Sequence, residues 1–161
     1  APDDNVSQAI IFADSSAQRF IVFSDGDVQN HDNSYGSISD EKVKEQITDA
    51  SSQWNDIKAL KVRKFKMKED VAKGDSDDHW RLGVVAQELE TAGMSGLVKN
   101  NPDIEEDKDT KIIKETGTTK TVKYSILYMK AVKALQEAMT KIETLETEVN
   151  SLKSRVTTLE S

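Results

Sequence analysis

The chain has 161 residues and a formal net charge of −7, an acidic balance that argues against nonspecific nucleic-acid binding because phosphate contacts need a basic face. It contains no cysteine, which excludes disulfides and cysteine-ligated zinc, and its two histidines stand far apart in unlike contexts, so we expect no metal site and no cofactor. The longest unbroken apolar run, Ala9–Ala13, is too short to cross a bilayer, and no membrane partner is expected.

The first 39 residues carry six aspartates and one arginine, a net charge of −5, which leaves −2 for the rest of the chain. Two short runs, Ile10–Phe12 and Arg19–Phe23, have the composition of β-strands, and an Asp-Gly pair marks a turn after the second run. Residues 29–39 are mostly Asn, Asp, Ser and Gly, which is typical of a loop. This segment is therefore predicted to be the strand-rich end of a larger structure, followed by an exposed connector.

A helix is predicted to begin at Ser39. Serine is a favoured N-cap residue, and the two acidic residues that follow it oppose the positive end of the helix dipole. Val43, Ile47 and Ala50 then have the spacing of a short amphipathic helix.

The middle of the chain is predicted to alternate short helices and strands. The predicted elements are a helix end that runs into a strand near residues 62–68, an acidic loop at Asp75–Asp78, a buried strand at Leu82–Ala86, a short helix at Gln87–Glu90 stopped by Gly93, a turn at Asn100–Pro102, and a hairpin that joins Lys111–Lys114 to Lys120–Tyr124 through Gly117.

The last segment has the clearest periodicity. Apolar residues recur at the a and d positions of a heptad over more than four heptads, which predicts a coiled coil over about residues 126–160. So narrow an apolar stripe stabilises a helix weakly unless parallel copies associate, and the pattern leaves the number of strands open. The a positions are Tyr128, Leu135, Ile142, Val149 and Val156, and the d positions are Ala131, Ala138, Leu145, Leu152 and Leu159.

Ser39 and Lys44 form a candidate catalytic pair, because a serine hydroxyl needs a base and a lysine amine serves as one when burial keeps it neutral. The residue types alone favour a simpler interpretation, in which Ser39 caps a helix and Lys44 lies on the surface. In a helix that begins at Ser39, the lysine would stand about 140° around the axis from the serine. Contact between them then needs a distorted helix start or a second chain.

The segment Ser39–Ile47 resembles the Ser-Asp-x-Arg-x-Lys-x-x-Ile signature of the intramolecular chaperone and auto-processing domain that ends many phage tail fibres, tailspikes and endosialidases. The similarity covers about residues 20–161, and the further motifs follow in family order. These motifs are Asp25–Asp27 with Ser34–Gly36, Ala59–Phe65, Gly83–Leu89 with its Gly-x-x-Ala-Gln-Glu element, and Val122–Leu127 before the coiled coil.

The resemblance implies a homotrimeric chaperone domain that guides assembly of the upstream fibre and then cuts itself free as a single-turnover serine endopeptidase. It implies Ser39 and Lys44 as the catalytic dyad and a cut that usually follows the serine, at Ser39–Asp40. A cut between Ile38 and Ser39 is the alternative, because serine attack on the preceding carbonyl is a familiar N-to-O acyl shift, whereas attack on its own carbonyl needs a four-membered ring. Lys42 stands where the family usually has arginine, and it is a candidate supporting residue that lacks the planar fork of arginine.

The predicted fold is α+β, with short strands and a hairpin arm around short helices, closed by a long C-terminal helix in a parallel trimeric coiled coil. Residues 1–39 are predicted to be the β-rich tip of the mature fibre, and residues 40–161 the removable chaperone. The expected partners are two further copies and the upstream fibre domain of the same polypeptide. Assembly is expected in the host cytoplasm, after which the chaperone is released and the N-terminal part stays in the virion fibre or spike.

Two other functions fit parts of this pattern. A structural trimerisation cap would stay attached to its fibre and would use Ser39 only as a helix cap. The same module in a membrane-tethered transcription factor ranks last, because the sequence indicates neither a DNA-binding domain nor a transmembrane segment.

Overall fold

The computed structural model describes residues 6–24, 26–72, 80–107 and 111–160, without the side chain of Glu69. The chain divides into two compact units, Ala1–Thr48 and Asp49–Ser161. The predicted acidic loop at Asp75–Asp78 lies outside the described residues. The predicted division at Ser39–Asp40 concerns cleavage rather than compactness, and it stays a prediction.

The first unit contains a three-stranded antiparallel sheet in the order β1-β2-β3, formed by β1 (Gln8–Ala13), β2 (Gln18–Phe23) and β3 (Val28–Asn30). The two predicted strands are therefore confirmed, and consecutive apolar residues pair across them, as Phe12 does with Phe20. The prediction that the connector begins at residue 29 is wrong, since Gln29 and Asn30 continue β3 against β2.

The second unit contains four α-helices, one 3₁₀ turn (Ser95–Leu97) and four strands among its described residues. They are α1 (Trp54–Ala59), β4 (Arg63–Phe65), α2 (Lys68–Ala72), β5 (Arg81–Gly83), α3 (Ala86–Thr91), β6 (Val98–Glu106), β7 (Ile113–Val122) and α4 (Tyr124–Glu160). The predicted change from helix to strand near residues 62–68 is confirmed by α1 and β4. The predicted strand at Leu82–Ala86 is shorter than expected, because Ala86 already begins α3.

The core of the second unit lies where α3, the turn after it and the start of α4 meet. Leu89, Met94, Leu97 and Leu127 are buried there, and Leu89 is only 2% exposed. α3 ends where predicted, because Gly93 adopts a φ of 82°, a left-handed conformation that glycine tolerates. This stop turns the chain so that Met94 enters the core directly after the helix.

A hairpin arm is present, but the predicted pairing is wrong, because Ile113–Lys114 and Lys120–Val122 lie in the same strand, β7, which pairs with β6 from Val98↔Val122 to Glu106↔Ile113. The predicted turn at Asn100–Pro102 is wrong, because these residues lie inside β6. The predicted hairpin turn at Gly117 is also wrong, since Gly117 lies within β7 opposite Asp103. Both strands of a two-stranded ribbon are edge strands, so Pro102 is tolerated without breaking a sheet.

The long helix α4 has 37 residues, which corresponds to about 55 Å. Leu127 and Ala134 near its start are buried, whereas the heptad residues beyond them, apart from the half-buried Ala138, are exposed in the single chain. The α+β class and the long C-terminal helix are therefore confirmed. The trimeric coiled coil stays a prediction.

Candidate functional site

Ser39 and Lys44 are in direct contact in the first unit. The Lys44 Nζ donates a hydrogen bond to the Ser39 Oγ over 2.6 Å, and both side chains are exposed. The sequence names these two residues as a candidate pair, and the contact forms within one chain.

The local backbone makes this contact possible because the predicted helix does not form. Only Glu41–Val43 is helical, as a single 3₁₀ turn, and Lys44 is already extended with φ −122° and ψ 143°. Gln46 then adopts a left-handed φ of 52°, through which an α-helix cannot continue. The helix prediction from Ser39 onward is therefore wrong, and the lysine returns toward the serine instead of rotating away from it.

The N-cap of the 3₁₀ turn is Asp40 rather than Ser39. The Asp40 Oδ1 accepts a hydrogen bond from the backbone N–H of Lys42 over 3.0 Å, and the Lys42 Nζ lies 3.1 Å from Asp40 Oδ2. The interpretation of Ser39 as this turn's cap is therefore wrong, and its hydroxyl meets the lysine amine instead. Lys42 pairs with Asp40.

Both predicted scissile bonds lie in exposed chain. Ile38 is 86% exposed, and Ser39 and Asp40 are also exposed. The residues on both sides of each bond are therefore accessible to solvent. A serine hydroxyl in contact with a lysine amine is the combination of residue types that Ser-Lys acyl transfer uses.

Two of the other sequence motifs meet at β4, β5 and α3. Arg63 pairs with Gly83 across the strands, and its guanidinium forms two hydrogen bonds with the carboxylate of Glu88. This ion pair lowers the pKa of Glu88 and raises that of Arg63. The Ala59–Phe65 and Gly83–Leu89 motifs are therefore joined by a strand pairing and a bidentate ion pair. Glu88 is a residue whose partner the sequence pattern did not indicate.

The heptad residues of α4 present an apolar stripe to the outside of the single chain. Their exposed fractions range from 45% for Val149 to 85% for Leu159. The N-terminal end of the stripe borders an apolar groove between α1 and α4, lined in part by Trp54, Ile57 and Leu135. The predicted seam residues that are exposed in this way are Leu135, Ile142, Leu145, Val149, Leu152, Val156 and Leu159.

None of the described helices combines the length and apolar character needed to cross a membrane. Among the residues that the structure describes, no three His, Cys, Asp or Glu side chains cluster in a way that could hold a metal ion.

Residues 39–99 match the model of a peptidase family described as chaperone of endosialidase. The matched segment begins at Ser39 and includes Lys44, Arg63 and Glu88. This match confirms the resemblance to the intramolecular chaperone family. No curated protein matches the chain.

The fold is similar to the crystal structure of a novel intramolecular chaperone, with a TM-score of 0.54 and 18% sequence identity over 64% of this chain and 99% of that one. This similarity indicates a shared fold. A second structure, the carboxy-terminal domain of the bacteriophage T5 L-shaped tail fibre with its intramolecular chaperone domain, matches with a TM-score of 0.43 and 16% identity, over 79% of this chain and 40% of that one.

Proposed function

Because residues 39–99 match the endosialidase chaperone family, we propose that this chain is the intramolecular chaperone of a phage tail fibre or tailspike, which assembles three copies and then releases itself by cutting beside Ser39. The observation that carries the proposal is the 2.6 Å hydrogen bond from Lys44 Nζ to Ser39 Oγ. It joins a nucleophile and a base at the start of the matched segment. Residues 40–161 are then the part that is removed.

In the proposed reaction, the Lys44 amine takes the proton of the Ser39 hydroxyl as Oγ attacks a carbonyl carbon. The peptide bond at that carbon breaks, its nitrogen receives the proton from Lys44, and water hydrolyses the ester that remains. The net change is the addition of one water across the peptide bond. Because only a neutral amine accepts a proton and burial favours the neutral form, we infer that cutting begins when neighbouring chains cover Lys44.

The choice of bond decides whether one chain or two take part. Attack on the Ile38 carbonyl by Ser39 of the same chain passes through a five-membered ring and cuts between those residues. Attack on the Ser39 carbonyl requires a serine from a neighbouring chain, since the serine's own hydroxyl would form a four-membered ring. The second route cuts at Ser39–Asp40, the bond that the family resemblance favours.

The long helix supplies the assembly step of the proposal. Its exposed heptad stripe offers a local, parallel contact between copies, and such contact raises the effective concentration of the segments upstream. Strand pairing between chains is nonlocal and therefore slow, so bringing three chains into register first favours correct fibre assembly. Cutting afterwards makes the assembly difficult to reverse.

The cleavage proposal is tested on a denaturing gel with the full chain after the copies have associated. A cut at Ser39–Asp40 gives a fragment of 122 residues (161 minus 39), and N-terminal sequencing of that fragment reads Asp40 first. We expect Ser39→Ala and Lys44→Met to stop cleavage, while Ser37→Ala, in the same connector, cuts normally. A wild-type chain that associates and stays intact would favour the non-cleaving trimerisation cap.

The assembly proposal is tested with Ile142→Asp combined with Leu145→Asp. Two carboxylates in the seam should keep the chain monomeric in sedimentation equilibrium, and the monomer should remain uncut. Thr140→Asp combined with Thr147→Asp, which adds the same charge outside the seam, should assemble and cut like the wild type. Efficient cutting by the seam variant as a monomer would contradict the coupling of assembly to cleavage.

A further inference from the structure

We propose that Asp40 is a positioning residue for the Ser39–Lys44 pair, because its side chain caps the turn that brings the lysine amine to the serine hydroxyl. The inference rests on the self-cleavage proposed above and adds a residue that acts through the dyad.

Three hydrogen bonds define the turn between Ser39 and Lys44. The N–H of Val43 donates to the Asp40 carbonyl over 3.1 Å, and the N–H of Lys44 donates to the Glu41 carbonyl over 3.0 Å. The third runs from the N–H of Lys42 to Asp40 Oδ1 over 3.0 Å. Only this third bond involves a side chain, so it is the one of the three that a side-chain substitution removes directly.

Packing does not hold this turn within the single chain. None of the residues of Glu41–Val43 is buried, and Val43 is 60% exposed. The flanking residues are extended, with ψ values of 138° at Asp40 and 143° at Lys44, so the single turn lies between two extended residues. A helical turn whose first N–H groups lose their cap frays readily, and fraying here separates Nζ from Oγ.

The cap hydrogen bond matters more than the charge of the carboxylate. Lys42 lies 3.1 Å from Asp40 Oδ2, but the two side chains are 79% and 51% exposed, and exposed ion pairs contribute little. Asparagine caps about as well as aspartate and carries no charge. Asp40→Asn therefore separates a positioning role from an electrostatic role.

The test measures the rate of fragment formation by associated chains of full length, with sedimentation confirming association in each variant. We expect Asp40→Ala to slow cleavage roughly five-fold, the factor that loss of a typical N-cap gives. Asp40→Asn should restore most of this rate. Asp49→Ala removes a carboxylate from an exposed residue further along the chain and should cut at the wild-type rate.

The pH profile of the cleavage rate separates a positioning role of Asp40 from an electrostatic effect of its carboxylate on the dyad. Fraying of the turn lowers the fraction of chains with the dyad in contact, so Asp40→Ala should lower the rate without moving the pH at which the rate is half-maximal. The inference would be overturned if Asp40→Ala cut at the wild-type rate or if Asp40→Asn cut as slowly as Asp40→Ala. It would also be overturned if Asp40→Ala displaced the pH profile. Cleavage of the Ser39→Ala variant would instead contradict the catalytic role of Ser39. A wild-type chain that associates and stays uncut would contradict both the proposed self-cleavage and the role of Asp40.

Discussion

Glu137, in the N-terminal half of α4, accepts a hydrogen bond from Ser52 Oγ over 2.7 Å and another from the backbone N–H of Gln53 over 2.9 Å. Gln53 is the N-cap residue of α1, and its own side chain makes no capping hydrogen bond. The carboxylate of α4 therefore caps α1 from a distance of more than eighty residues in sequence. The start of α1 depends on the long helix that carries the heptad seam.

This capping predicts a pH dependence. The pKa of Glu137 is lowered, chiefly by the hydrogen bond from Ser52, so the contact stabilises the fold fully above the pKa of an unfolded glutamate, near 4.3. Its contribution is lost as the pH falls through the lower folded pKa. We expect Glu137→Gln to lower the melting temperature at pH 7 and to approach the wild type as the pH falls below about 4 at fixed protein concentration. Glu146→Gln on the exposed part of α4 is the control, and a Glu137→Gln difference that is independent of pH would contradict the prediction.

A second polar contact joins α4 to α1. Lys130 Nζ lies 2.6 Å from Asp56 Oδ2 and 2.5 Å from Gln53 Oε1, and the Lys130 side chain is only 22% exposed. A double-mutant cycle of Lys130→Met and Asp56→Asn in urea unfolding should give a coupling of about 1 kcal/mol, at the upper end for partly exposed pairs.

The matched control for this cycle is the pair Lys111 and Glu106 on the hairpin arm. Their charged atoms are 3.2 Å apart, but the side chains are 72% and 56% exposed. We expect their coupling to be below about 0.5 kcal/mol. Equal coupling in the two cycles would show that burial does not strengthen the α1–α4 contact.

The buried leucine of α3 should dominate the stability of the second unit. Leu89 is 2% exposed, so Leu89→Ala leaves a cavity among Met94, Leu97 and Leu127 and should lower the free energy of unfolding by about 3 kcal/mol in urea denaturation. Leu82 is 78% exposed, and Leu82→Ala should change that free energy by less than about 0.5 kcal/mol. Similar losses in the two variants would place the core elsewhere.

The elements with a strong period or an unambiguous stop could be predicted from the sequence. The heptads of α4 and the glycine that ends α3 are examples, because both signals act within a few residues. The turns predicted at Pro102 and Gly117 are wrong, since residues typical of loops are tolerated on the edges of a two-stranded ribbon. Its pairing joins residues that are 7 to 24 positions apart, from Glu106↔Ile113 to Val98↔Val122, which local composition does not encode.

The candidate site could also be predicted only in part from the sequence. Ser39 and Lys44 could be named because their spacing resembles a family signature, but their contact could not be derived from an assumed α-helix. Ser39 and Asp40 are both favoured N-cap residues, so the sequence leaves the choice of cap open. The left-handed conformation of Gln46, which ends any helix there, has no local sequence signal.

The last prediction concerns Gly83, which is the first residue of the Gly-x-x-Ala-Gln-Glu element. A Cβ at this buried position would lie 2.8 Å from the Tyr124 Oη and 3.2 Å from Phe65 Cε1, so a methyl group must displace its neighbours. We expect Gly83→Ala to lower the free energy of unfolding by roughly 1–3 kcal/mol in urea denaturation. Gly96→Ala, whose Cβ meets nothing within 4 Å, is the matched control.

The tyrosine hydroxyl allows this steric explanation to be separated from a general intolerance of alanine. Removing it in Tyr124→Phe relieves the shorter of the two contacts, at the cost of a weak hydrogen bond from the Val84 N–H over 3.4 Å. Gly83→Ala should therefore be less destabilising in the Tyr124→Phe background than in the wild type. An equal or larger loss in that background would show that the backbone of β5, rather than the tyrosine above it, requires glycine.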